Sequence, residues 1–176
     1  MTSDARKALL GRFRWVSGHA DVWRVFADAD AFAAVVAGLV APWRHRGVTH
    51  VVGIEARGFL IGGAAAVQLG AGFVAVRKAG GLLPGDKVTA ETAPDYRGLR
   101  HRLRMQAILG PTDRVLLVDD WAERGSQARG VQQLVAACGA TFLGMTVLVD
   151  QLADETRADL GPVTALVRAP ELGPDT

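Results

Sequence analysis

The chain has 176 residues, 49% hydrophobic and 22% charged, with a formal net charge of +2. Length and apolarity together predict one domain over residues 1–176 with a full core, exclude intrinsic disorder, and leave only the two ends loose. Basic residues are scattered apart from Arg97–Arg104, which argues against nucleic acid as a partner.

No stretch reaches the ~20 apolar residues that span a bilayer, and no long apolar segment follows Met1–Lys7, so neither membrane nor export is expected. The lone cysteine, Cys138, lies in the apolar run from Leu134 and has no intrachain disulfide partner. A reducing, cytoplasmic setting and an inert, packed thiol follow.

Phe32, Val35, Val36, Leu39 and Val40 recur at helical spacing between Asp28 and Arg46, with Asp28 or Asp30 placed to cap the helix. His50–Ile54 reads as a buried strand feeding a closely packed helix over Gly58–Leu69. Gly72–Val76 is a second strand. The stretch Ala79–Leu109, rich in Gly, Pro and charge, is long for a connection and reads as a flexible binding loop or as a surface hairpin. It contains an alternating segment over Arg100–Ala107 and closes on the turn Gly110–Asp113. Strand Arg114–Val118, helix Ser126–Cys138 and strand Phe142–Val149 complete the series. Buried strands alternating with helices predict an α/β fold with a mostly parallel sheet covered on both faces, binding ligands at the strands' C-terminal ends.

The chemistry concentrates after Val118. Adjacent carboxylates such as Asp119 and Asp120 repel one another, so a fold offsets them with a cation, hydrogen-bond donors or a polyol ligand. The loop behind them carries Gly125 and Ser126 and opens a helix, whose free N–H groups and dipole favour an anion such as phosphate. Arg57 and the pair Arg77 and Lys78 follow two other strands, on the same edge, and a guanidinium offers phosphate oxygens a bidentate fork. Taken singly, the acids also suit helix capping and the cations a solvated surface. His45, His50 and His101 lack metal-ligand spacing.

The strand, acidic pair and short loop resemble the phosphoribosyl-diphosphate signature of type I phosphoribosyltransferases. Val51–Gly62 followed by Leu69–Lys78 looks like the adenine phosphoribosyltransferase family, and the likeness runs over residues 48–150 in the family's order. It implies a parallel five-stranded sheet flanked by helices, with a small hood over residues 11–27 and a flexible loop over 79–109. It also implies transfer of the 5-phosphoribosyl group of phosphoribosyl diphosphate to a purine or purine-like base, as in purine salvage, in a cytoplasmic homodimer. Mg²⁺ would assist the leaving diphosphate without a dedicated metal cage in the protein.

Carried over by position, Asp119 and Asp120 would hold the ribose, and Glu123, Arg124, Gly125, Ser126 and Gln127 the 5′-phosphate. Ala56, Arg57, Arg77 and Lys78 would take the diphosphate, and Trp15, His19 and Ala20 the base, with Trp23 as a further stacking candidate. Asp95, beside Tyr96, and Glu91 would help a base proton leave. Two departures stand out. Glu123-Arg-Gly-Ser-Gln127 replaces the family's Ala-Thr-Gly-Gly-Thr, and Gly18-His-Ala-Asp21 stands where adenine enzymes carry Phe-Arg-Asp. They leave open which base is accepted, and whether the chain is a non-catalytic sensor of nucleotide or phosphoribosyl diphosphate.

Overall fold

The computed structural model describes residues 2–78, 80–93 and 100–174. Helix α1 (Thr2–Arg12) leads into a hairpin of β1 (Arg14–Val16) and β2 (His19–Asp21). Ser17 and Gly18 turn it with φ of 51° and 78°, the left-handed pair that a two-residue hairpin loop needs. After the short α2 (Trp23–Phe26) comes α3 (Ala29–Val40). Asp28 is its cap, accepting the Ala31 N–H at 2.9 Å. The helix ends earlier than its apolar spacing suggests, because Pro42 brings no N–H and the chain tightens into a 3₁₀ turn over Ala41–Trp43.

The remaining elements are β3 (His50–Ile54), α4 (Arg57–Leu69), β4 (Gly72–Lys78), β5 (Lys87–Glu91), β6 (Arg102–Gln106), β7 (Arg114–Ala122), α5 (Ser126–Ala137), β8 (Thr141–Asp150), α6 (Asp154–Leu160) and β9 (Val163–Arg168). The sheet runs β5-β6-β4-β3-β7-β8-β9. Strands β4, β3, β7, β8 and β9 pair parallel. They are the expected five-stranded sheet, widened at one edge by β6 and β5, which pair antiparallel. Within the 79–109 stretch, the described residues thus include a hairpin fixed to the sheet, with Leu103 and Met105 facing inward between the more exposed Arg102, Arg104 and Gln106.

Alternating strand residues feed two cores. Val51, Leu116, Val118 and Leu148 pack with Val35, Leu39 and Ile61 on one face, while Val52, Val115, Leu117 and Val147 pack with Val131, Leu134 and Val135 on the other. Each such side chain, removed from water, contributes roughly 1.5–3 kcal/mol before ordering costs. Helix α4 lies directly on β3, since a Cβ at Gly53 would sit 2.1 Å from the Gly58 carbonyl oxygen. That contact brings the start of α4 to the edge where the acids lie.

Among the described residues the segments near both ends pack onto the domain, where loose ends were expected. Ala5 and Leu9, one helical turn apart in a polar stretch, are fully buried. Ala5 fills a notch on α3 so closely that a Cβ at Gly38 would lie 2.4 Å from its own. At the other end β9 adds a parallel strand and buries Val167. Among the described residues no helix is long and apolar enough to cross a membrane. Cys138 follows α5, and burial pushes its thiol pKa up, away from reactivity.

Candidate active site

The cleft opens where β3, β4, β7 and β8 end, and it encloses about 550 Å³. Strand β7 does not stop at Val118. Its pairing with β8 continues through Asp119 opposite Val147 and Trp121 opposite Val149, so the acidic pair is held by the sheet itself. Asp120, 6% exposed, meets Arg57 Nε at 2.9 Å. Asp119 Oδ1 accepts the Asp120 N–H at 2.9 Å and lies so near α4 that a Cβ at Gly58 would come within 3.0 Å of it. Burial first, and then the Asp120 charge, hold the Asp119 carboxyl well above the ordinary carboxylate range. The Asp120 N–H and the Arg57 guanidinium pull the other way without cancelling the rise.

Beyond β7 the chain reverses through Glu123–Gly125. Gly125, at φ 70°, precedes the first turn of α5, which has no side-chain cap, so its N–H groups are left to the cleft. No other residue fits here: a Cβ at Gly125 would meet Thr156 Cγ2 at 2.6 Å and Leu160 Cδ1 at 3.1 Å. Glu123, Arg124, Ser126 and Gln127 all line the same corner.

On the opposite side Ala56, Arg57 and Lys78 line the cleft. Arg77 does not join them. Its Nε donates to Glu55 Oε2 at 2.9 Å and its Nη1 to the Leu82 carbonyl at 2.9 Å. Glu55 also accepts the Lys78 N–H at 2.6 Å and so ties the ends of β3 and β4 together. Its signal in the sequence is a lone acid between a strand end and Ala-Arg, flanked by cations.

The hood hairpin lays Trp15, His19 and Ala20 over the cleft. Trp15 stands edge-on to Phe13 (centroids 5.2 Å apart) and to Trp121 (6.1 Å), and its indole N–H donates to the Gly173 carbonyl at 3.1 Å. Trp23 lies elsewhere, edge-on to Phe26 and 52% exposed. Trp121 and Gln151 also line this end, and Met145 lines the cleft from the α5 side of the sheet. Nothing in their spacing announces them. Glu91 points away on β5 and pairs with Arg102 at 3.1 Å, while Asp95 lies outside the described residues. Among the described residues no three His, Cys, Asp or Glu side chains cluster to hold a metal ion.

An acidic pair on a central parallel strand, an uncapped helix start and cations share one cleft at the strands' C-terminal ends, the arrangement of the type I phosphoribosyltransferase fold. The phosphoribosyl transferase domain family matches residues 23–166. The adenine phosphoribosyltransferase of Streptomyces clavuligerus is 34% identical over 96% of this chain and 98% of its own length. That of Bradyrhizobium sp. (strain ORS 278) is 41% identical over 74% of this chain and 72% of its own. The crystal structure of the adenine phosphoribosyltransferase of Rhodothermus marinus superposes with a TM-score of 0.83 at 29% identity, covering 94% of this chain and 99% of that one. The chain belongs to the type I phosphoribosyltransferase family, among relatives that are adenine phosphoribosyltransferases.

Proposed function

We propose that this protein transfers the 5-phosphoribosyl group of phosphoribosyl diphosphate to a ring nitrogen of a purine base, releasing diphosphate, as a purine-salvage enzyme. The carrying observation is the placement of Asp119 and Asp120 between the α5 start and the Arg57 and Lys78 side. A ribose over the pair donates its hydroxyls to the carboxylates. Its 5′-phosphate then accepts from the N–H groups around Gly125 and Ser126, and its diphosphate meets Arg57 and Lys78.

As the anomeric bond opens, negative charge grows on the diphosphate and positive charge on the sugar, facing fixed cations and fixed carboxylates respectively. The base enters beneath the hood, where the Trp15 and Trp121 rings exclude water from the reacting face. Asp95, carried between β5 and β6, takes the proton that the base loses, a role for which the Arg102-paired Glu91 is less suited. The residues fit Mg²⁺ that is brought by substrate: Asp119 and Asp120 offer it carboxylate oxygens, and it would neutralise charge on the departing diphosphate. The reading of the chain as a non-catalytic sensor finds no support among relatives named as enzymes.

We also place the protein in the cytoplasm as a homodimer. Leu60 and Val67, 41% and 83% exposed, recur on one face of α4 and give a second copy an apolar surface to cover. Light scattering at micromolar concentration should return twice the 18.6 kDa chain mass.

Diphosphate release from phosphoribosyl diphosphate with a panel of natural purines tests the activity. Mg²⁺-dependent turnover with at least one base is expected. Silence across the panel with intact, folded protein would reject the proposal.

A further inference from the structure

The base end of the cleft contains a hydrogen-bonding group whose sense is fixed. The Trp121 indole N–H donates to Gln151 Oε1 at 2.8 Å. An indole nitrogen can only donate, so the carboxamide oxygen of Gln151 must face it and both amide N–H bonds remain as donors. The amide cannot turn over without setting donor against donor.

The scaffold holding this pair is stiff. The Gln151 N–H donates to the Ala122 carbonyl at 2.8 Å. Its neighbour Asp150, 1% exposed, accepts the Leu152 N–H at 2.9 Å and pairs with Arg157 on α6. Trp121 is wedged against Phe13 and Trp15 at ring separations of 6.5 and 6.1 Å. Gln151 is itself exposed and is held through its backbone N–H and its Oε1, so a base that covers it displaces water and, where mismatched, leaves its amide donors unpaired.

We infer that Gln151, oriented by Trp121, is a specificity-determining residue that donates a hydrogen bond to an acceptor atom of the purine, a ring nitrogen or an exocyclic oxygen, and disfavours an exocyclic amine at that position. The inference rests on the reading that the base occupies the hood end of the cleft. It adds the hydrogen-bond polarity of the base edge that is read there.

The test is a cycle between protein and base. Purine analogues lacking one acceptor at a time, through replacement of a ring nitrogen by C–H or removal of an exocyclic oxygen, are compared in the wild type and in Gln151→Leu. One analogue should lose about 10-fold in kcat/KM with the wild type, Gln151→Leu should lose about the same with the parent base, and the two losses should not add. Gln151→Glu, which keeps an oxygen for Trp121 but turns the donor into an acceptor, should shift the preference toward an amine-bearing base, with KM for phosphoribosyl diphosphate within about 2-fold.

The same cycle read by nucleoside monophosphate binding, through tryptophan fluorescence, needs no turnover. Non-additive binding losses in a protein that turns over no base would sink the catalytic proposal and uphold this one. Additive losses for every analogue, in turnover and in binding, would overturn the role of Gln151.

Discussion

The two ends of the cleft are built on different principles. At the end proposed for ribose and diphosphate, charged groups are fastened to one another: Asp120 to Arg57, and Glu55 to Arg77 and the Lys78 backbone. At the end proposed for the base, aromatic rings from the hood and from β7 meet edge to edge beside the Gln151 amide. Electrostatic clamping suits a ligand whose charge is invariant, and every phosphoribosyl diphosphate is alike. An apolar wall with one directional group suits the variable part of the reaction, the base. Family likeness is accordingly plain at the acidic pair and thin at the base end, and the Glu123–Gln127 loop departs as well.

Substitutions at the charged end should have the largest effects and should be blind to the base. Asp120→Asn removes an acceptor for the ribose and the partner of Arg57, and kcat/KM should fall by about 100-fold or more with every purine. A loss confined to one base would break the contrast between the ends. Arg57→Ala should cost activity similarly and also stability, of order 3 kcal/mol by denaturant titration, because it leaves Asp120 buried beside Asp119 without its cation.

Gly125→Val tests the phosphate corner by shape alone. It forces a side chain into Thr156 and requires an unfavourable φ, so a destabilisation of about 2–4 kcal/mol is expected.

Asp119→Asn separates function from stability. Asp119 binds its proton more tightly in the folded chain than at its ordinary value of 3.8. Folded protein therefore loses stability as pH rises from that value through the elevated one. The neutral amide escapes this cost. Asp119→Asn should raise Tm by about 2–4 °C at neutral pH, flatten the pH dependence of stability, and still lose most activity.

The smallest effects belong to the hood. Trp15→Ala should raise KM for the base by about 10-fold, leaving that for phosphoribosyl diphosphate within about 2-fold. Trp23→Ala, outside the cleft, should change neither by more than about 2-fold. Equal effects of the two would place the base elsewhere.

Much of the charged end is legible in the chain itself, because its signals are local. An unbroken apolar strand that ends in two acids and runs into Gly-Ser can be read without the fold, as can the cations after two further strands. What was not legible depends on register and on distant partners. Arg77 and Lys78 are neighbours in sequence, yet strand alternation sends one side chain to Glu55 and leaves the other in the cleft. Gln151 acquires meaning only through Trp121, thirty residues away. Helix α1 hides its two buried residues in a polar stretch, and the long connection after β4 becomes a hairpin because β4 offers it an open sheet edge.

Phosphorus NMR of phosphoribosyl diphosphate incubated with the protein, Mg²⁺ and a purine follows donor and products together. Diphosphate and a nucleoside 5′-monophosphate should appear in equal amounts, with neither formed by Asp120→Asn at a comparable rate. A donor that remains intact with every purine, or that decays to ribose 5-phosphate without nucleotide, would contradict phosphoribosyl transfer.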